Sequence, residues 1–303
     1  MKSSGSGDSH GDAAPARGQP ADVVEAEPSA PGRRRRSRYR NAPLISGLAI
    51  IGLFVVGSVL IPWLSPYDAF RPVPADALQG PSASHYFGTD VIGYDVFVRV
   101  AYAPRVNLSI AVPGVLIGAL LGVSIGVAAG FSRRFAGEVV MRVADLLQAF
   151  PLLILALAIV ALTGQSNLNI IGAIAFINTP VFLRLVRSQV ISIRELGYVE
   201  VAEALGNPVR RIVYKHILPN AMGPAIVQFG VSLGYAILVL AGLSFLGLGV
   251  APPTPEWGGM IRTGASALTT GQWWTVLFPG LALGTAVASF NLVSEGIEIA
   301  REI

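Results

Sequence analysis

The chain has 303 residues, 52% of them hydrophobic and 13% charged, with a formal net charge of +4. A soluble domain of this size carries about a quarter charged residues, so the composition points to an integral membrane protein. Cysteine is absent, which excludes disulfides and thiolate-based metal or redox chemistry.

Residues 1–42 read as a separate cytoplasmic tail, with Ser, Gly, Ala, Pro and Asp in no periodic order before the run Arg33-Arg34-Arg35-Arg36-Ser37-Arg38-Tyr39-Arg40. Such a stretch cannot bury enough apolar surface to offset its ordering entropy and is expected to be disordered. A basic run before an apolar stretch also resembles a twin-arginine export signal. The chain, however, continues Ser65-Pro66-Tyr67-Asp68 with no small-residue cleavage site after Leu64, which favours an uncleaved first helix with a basic anchor. The arginines have no folded basic surface beside them, against a nucleic-acid role.

A helix needs about 20 largely apolar residues to cross the hydrocarbon core. Six stretches meet that need, at roughly 44–64, 108–131, 139–162, 168–186, 221–246 and 275–292. The fourth is interrupted by Asn178, Thr179 and Pro180, tolerated in a span only where neighbours or water satisfy the freed backbone. The expected organisation is a tail at 1–42, a first span plus extracytoplasmic segment at 43–106, and a core at 107–303 with five spans and a loop at about 195–219. With the N-terminus inside, 18 of the 22 Lys and Arg residues fall on cytoplasmic segments, leaving Arg71, Arg99, Arg105 and Arg262 outside. The positive-inside rule then places both termini and the 195–219 loop in the cytoplasm.

The second span carries Gly114, Gly118, Gly122, Gly126 and Gly130, one every four residues. That spacing lines one helix face and lets another backbone approach closely, within the chain or from a partner subunit. Ionisable residues in the spans are few. Asp145 follows Arg142 by about one turn, and Arg184 and Arg187 lie near the end of the fourth span. Interfacial pairing or snorkelling accounts for all four, which weighs against an ion-coupled carrier or channel.

Catalytic machinery is not legible. The lysines are Lys2 and Lys215, neither in a phosphate-binding glycine loop. His10, His85 and His216 are scattered, without the spacing of a metal site. ATP-driven work would therefore draw its energy from another chain.

The polar loop after the fourth span reads Glu200-Val201-Ala202-Glu203-Ala204-Leu205-Gly206 and returns through Arg210, Arg211 and Lys215 to His216-Ile217-Leu218-Pro219. These are mostly helix formers, and Gly206 can end the helix in a left-handed conformation, with Pro208 barring its continuation. The product is a short helix with small residues on one side, able to lie in a groove on a partner. Two more stretches stand out. One is His85-Tyr86-Phe87-Gly88-Thr89-Asp90-Val91-Ile92-Gly93-Tyr94-Asp95, followed by Arg99 and Arg105. The other is Leu243 through Gly258, with Pro252, Pro253, Pro255 and Trp257. Their Gly and Pro residues make tight turns, and Trp257 can anchor at a membrane interface.

Taken together, these segments resemble the second permease subunit of the dipeptide, oligopeptide and nickel ABC importers, over about residues 40–295. Departures from that pattern include Tyr94, Val98, Val201 and the C-terminal end. The resemblance implies an all-α membrane protein of six transmembrane helices, a type I ABC importer permease fold with a cytoplasmic coupling helix, in a prokaryotic inner membrane. It implies a translocation subunit rather than an enzyme, moving di- or oligopeptides by alternating access. The alternatives are a nickel-chelate importer of the same build and an ATP-independent channel or carrier. The expected partners are a homologous second permease, two ABC ATPases that hold ATP and Mg, and an extracytoplasmic binding protein whose receiving mouth is formed by the 88–99 and 252–257 stretches. No cofactor is expected in this chain. Asn178, Gln228, Ser232, Tyr235 and Asn291 are candidates to line a cavity, with helix-packing hydrogen bonds the first reading for each.

Overall fold

A computed structural model describes residues 41–132 and 135–301, the side chain of Glu203 excepted. Residues 1–40, where a disordered tail is expected, lie outside the described residues. The helices are α1 (Ala42–Leu64), α2 (Val96–Phe131), α3 (Phe135–Gln148), α4 (Leu152–Thr163), α5 (Asn167–Arg194), α6 (Gly197–Ala204), α7 (Val209–Ile212), α8 (Leu218–Phe245), α9 (Trp257–Leu268) and α10 (Trp274–Arg301). A 3₁₀ turn at Pro74–Asp76 and a π-helical turn at Val213–Ile217 complete the list. Strands are absent among the described residues, apart from one isolated bridge between Thr89 and Asp95. Five helices are long and apolar enough to cross a membrane, six if α3 and α4 count as one broken span.

The spans differ from the hydropathy reading in two places. α2 begins at Val96, well before residue 108, because Asp95 caps it by accepting the Val98 N–H. The division expected at 106/107 therefore falls inside a single helix. The third span is not continuous: α3 and α4 meet at 89°. Its cause is Pro151 at the start of α4, which has no N–H to give the preceding turn and disfavours helix in the residue before it. The opposite holds for α5, which runs unbroken through Pro180. There Asn178 Nδ2 and Thr179 Oγ1 turn back onto the carbonyls of Ile174 and Ala175, both at 2.8 Å. The lodged polar groups are thus satisfied within their own helix, as a span requires.

The glycine stripe of α2 packs inside the chain, against α5. A Cβ at Gly118 would meet Ala175 O at 2.7 Å, one at Gly122 would meet Thr179 O at 2.5 Å, and one at Gly126 would meet Leu183 O at 2.8 Å. The contacts advance together along both helices, so the pair is parallel. Backbone lies almost on backbone for four turns, close enough that even alanine does not fit. Around this pair, α8 and α10 close one apolar core with Ile110, Val115, Ile174, Phe182, Ile237 and Leu240 buried. α1 lies outermost, held where Gly47 meets Ser289 O and Gly296 meets Leu44.

Gly122→Leu should cost at least about 3 kcal/mol, the upper range for overpacking, and remove most of the folded protein from the membrane. Gly52, with open space at its Cβ position, should accept leucine at near wild-type abundance. Quantitative blotting and thermal aggregation of both variants check this; equal abundance would show that the helices separate freely.

Candidate functional site

The surface loop that follows α5 is built on a second apolar cluster. Val199 and Ala202 of α6 are buried against Val186, Val190 and Ile193 of α5, with Ile212, Ile217 and Ala221 beneath and Val127 and Phe131 of α2 alongside. The three-residue spacing of Val199 and Ala202 puts both on one face of α6. The expectation that the small residues form the presented side holds for Ala204, which is exposed, and not for Ala202, which looks inward, 7% exposed. The outward edge consists of Glu200, Val201, Ala204 and Leu205, with Val201 59% and Leu205 76% exposed. Tyr198, Val209 and Tyr214 extend the exposed apolar surface. Val201 and Leu205 thus leave an exposed apolar edge on α6.

Gly206 closes the helix. Its φ of +73° is the left-handed region that side-chain-bearing residues avoid, and no atom lies within 4 Å of a Cβ built there. Any cost of substitution is thus conformational rather than steric. Asn207 returns both its backbone N–H and its side-chain Nδ2 to Ala202 O, satisfying a carbonyl orphaned at the helix end. The chain re-enters the bundle at α8, with Leu218 and Pro219 in its first turn. Above the loop, a cavity of about 630 Å³ opens between α2 and α8, lined by Leu116, Leu120, Phe182, Tyr214, Met222 and Phe229 among others.

At the opposite end of α2, the motif residues of 85–99 bond to each other. His85 is buried, its Nδ1 2.8 Å from Asp95 Oδ2 and its Nε2 3.8 Å from Asp76 Oδ2, with the Tyr67 ring 4.5 Å away. Asp90 Oδ1 accepts from the N–H groups of Ile92, Gly93 and Tyr94. Thr89 Oγ1 accepts from Gln79 N and donates to Asp76 O, and Thr89 O accepts the Trp274 indole N–H. Gly88 is pressed against that indole and Gly93 against Val73 O. Arg99 lies 4.0 Å over the Tyr94 ring and donates to Ala69 O. Arg105 stays exposed, over Tyr102. These residues knot the 65–95 cap onto α2 and α10.

The second motif ends α8 and, with Trp257 and Gly258, opens α9, a helix not anticipated from the sequence. Trp257 is no interface anchor. It is 1% exposed and donates its indole N–H to Val100 O, while Gly258 lies directly on Ala241 of α8. Pro252 and Pro253 make the turn before it. Glu256 caps α9 by accepting from Gly258 and Gly259 N–H at 2.9 Å each. Burial pushes its carboxyl above the ordinary range, although the bonds from Gly258, Ser244 and Gly259 act the other way. A carboxylate just ahead of an apolar stretch is a helix-start signal, and it was available in the sequence.

The cavity candidates separate. Asn178 is buried and bonded to its own helix, and Ser232 is buried beside Gln228 Nε2 at 3.3 Å. Tyr235 and Asn291 stand exposed on α8 and α10, with no side-chain hydrogen bond among the described residues. Asp145 pairs with Arg184 of α5, not with its neighbour Arg142.

Residues 122–298 match the family described as the binding-protein-dependent transport system inner membrane component. The chain belongs to that family. It is 41% identical over 266 residues to the dipeptide transport system permease protein DppC of Alkalihalophilus pseudofirmus, covering 87% of this chain and 86% of the relative. It is 39% identical over 269 residues to the glutathione transport system permease protein GsiD of Salmonella paratyphi A, covering 88% of each. The GsiD protein of Escherichia coli is 38% identical over the same length. The chain is thus a multi-pass permease component of an ABC importer with the type I fold, a translocation subunit working with binding-protein and ATPase partners. The carrier and channel alternatives fall with that result.

Glu256 keeps its proton in the fold at pH values where the unfolded carboxyl has lost it. Its contribution to stability is therefore largest at acid pH and falls as pH rises from the ordinary carboxylate value through the raised one. Relative to Glu256→Gln, the wild type should gain melting temperature on acidification in detergent; a pH-independent difference would contradict the burial.

Proposed function

We propose that the chain is one of two homologous permease subunits of an importer for di- or oligopeptides, with both termini cytoplasmic and the 195–217 loop as the seat of an ATPase. Two ATPases supply the energy, holding ATP and Mg. The partner permease completes the path, a binding protein delivers cargo to the cap, and nucleic acid has no part. The carrying observation is the two-faced loop: Val199 and Ala202 fastened to α5, Val201 and Leu205 turned out. A partner that grips the outer edge moves α5 directly, because α6 follows α5 after Glu195 and Leu196. Alternating access then follows from tilting α5 with its partner α2. The peptide class is supported by the relatives, whose names give dipeptide and glutathione as cargo. Tyr235 and Asn291 are the polar groups best placed to meet cargo or the second permease, since a partnerless amide or phenol on a span is unfavourable against lipid.

The orientation is tested by fusions: a reporter after Arg301 should be cytoplasmic and one at Gln79 outside. A reversed signal at either site would overturn it.

Gly206→Val should insert and fold normally, lose most ATPase binding and import at least about tenfold more slowly, since β-branched residues resist φ > 0. Cross-linking from Ala204→Cys to an ATPase should succeed in the otherwise unaltered chain. Full import by Gly206→Val together with no cross-link from any outward position would defeat the docking assignment.

A further inference from the structure

Between α2, α3 and α5 runs a crevice of about 600 Å³, walled by Ile117, Leu121, Ile125, Val143, Phe176 and Leu183 among others. Among the described residues no charged side chain lines it, and its one hydroxyl, on Thr179, already donates to Ala175 O. Along α5 the lining runs from Gly172 to Leu183, roughly 8 to 24 Å from the helix start at Asn167. That is within the depth of a hydrocarbon core of about 30 Å. Arg187 follows on the same face of α5, one turn beyond Leu183. It stands just past the apolar stretch 168–186, roughly 30 Å from Asn167, where hydrocarbon gives way to headgroups. Arg187 is partly buried, and its Nε is shielded from solvent without a hydrogen-bond partner. No carboxylate pairs with it among the described residues. Arg184, by contrast, has its counter-ion in Asp145. The apolar crevice thus ends at one uncompensated positive charge.

We propose that this crevice holds an acyl chain of an anionic phospholipid whose phosphate lies on Arg187, in the leaflet on the side of the surface loop. Each half of the site suits one half of that molecule. A wall with no free donor or acceptor returns nothing to water or to a peptide for their lost hydrogen bonds, and so favours hydrocarbon. A partly buried guanidinium without a counter-ion is unfavourable and takes a phosphate through charge-assisted hydrogen bonds. Basic pockets between spans at the membrane surface bind anionic headgroups in this way. Net negative charge is required, because Asp145 already neutralises Arg184 and a zwitterionic headgroup brings its own cation. A helix of a partner subunit, about 10 Å across, would need roughly 900 Å³ over the roughly 12 Å from Ile117 to Ile125. The crevice is smaller than that. The bound chain fills the gap that α3 leaves between its contact with α2 at Gly137 and its ion pair with α5 at Asp145.

Native mass spectrometry of the assembled transporter in mild detergent tests this. The tightest-bound dioleoyl phosphatidylglycerol should be held at least about fivefold more firmly than dioleoyl phosphatidylcholine or dioleoylglycerol, the latter lacking the phosphate. Arg187→Gln should bring phosphatidylglycerol down to the level of dioleoylglycerol, and Arg187→Lys should restore most of the difference. Val143→Trp, which fills the crevice from its exposed wall, should weaken all three lipids. Inorganic phosphate, which offers the charge without the chain, should displace none of them. Equal retention of phosphatidylglycerol by wild type, Arg187→Gln and Val143→Trp would show surrounding lipid only and overturn the inference. Displacement by inorganic phosphate would reduce the site to an anion site and overturn it equally. Binding by the isolated chain that vanishes in the assembled transporter would show that the second permease covers the crevice, which also overturns it.

Discussion

The contact on which the rest depends is the backbone-to-backbone seam between α2 and α5. Five glycines at four-residue spacing remove every side chain from one face of α2, and α5 settles into the space. Within lipid there is little hydrophobic drive to join helices, so close van der Waals packing must hold them. The seam supplies it over most of the bilayer. α2 is 36 residues long, roughly 54 Å, so it outruns the membrane at both ends. One end is knotted into the cap by Asp95, Arg99 and the Gly88 carbonyl, and the other lies under the surface loop through Val127 and Phe131.

On the proposed docking, this geometry lets a small surface helix act on a large bundle. α6 is fixed by two buried residues and offers an exposed apolar edge. Force applied to the edge reaches α5 through Val190 and Ile193, and through the seam it reaches α2 and the cap. The broken span joins the same core. α4 packs on α5 and on α8, where Leu153 touches Gly242, and α3 reaches α5 by way of the Asp145–Arg184 pair. Ala156 and Val160 of α4 are fully buried in the same apolar core as α2 and α5, and Gly137 of α3 lies against Ala129 O of α2.

Much of this was legible in the sequence, for reasons that differ from element to element. Four spans were visible because an unbroken apolar run admits few alternatives, and the Gly206 turn because glycine next to Asn207-Pro208 marks a left-handed stop. The glycine stripe announced close packing, but its partner required the fold. The break in the third span was hidden by its own hydrophobicity: Pro151 was present, yet apolar residues on both sides masked it. The inward turn of Ala202 depends on cluster residues far off in sequence, such as Ile217 and Ala221. Likewise, His85, Asp90 and Trp257 are the sort of polar and aromatic residues that suggest a receiving mouth. The burial of His85 against Asp95 and of Trp257 against Val100 O is a tertiary fact that no local pattern reveals.

The central claim is that the cap, the α2–α5 pair and the surface loop travel together. Spin labels at Tyr86 and Arg210, both exposed and in a chain without native cysteine, report on it in the assembled transporter. The distance distribution between them, measured by pulsed electron resonance with and without ATP, should keep the same mean and width while import-competent complexes cycle. A distribution that shifts or splits on ATP binding would show that the seam yields, and would contradict the account.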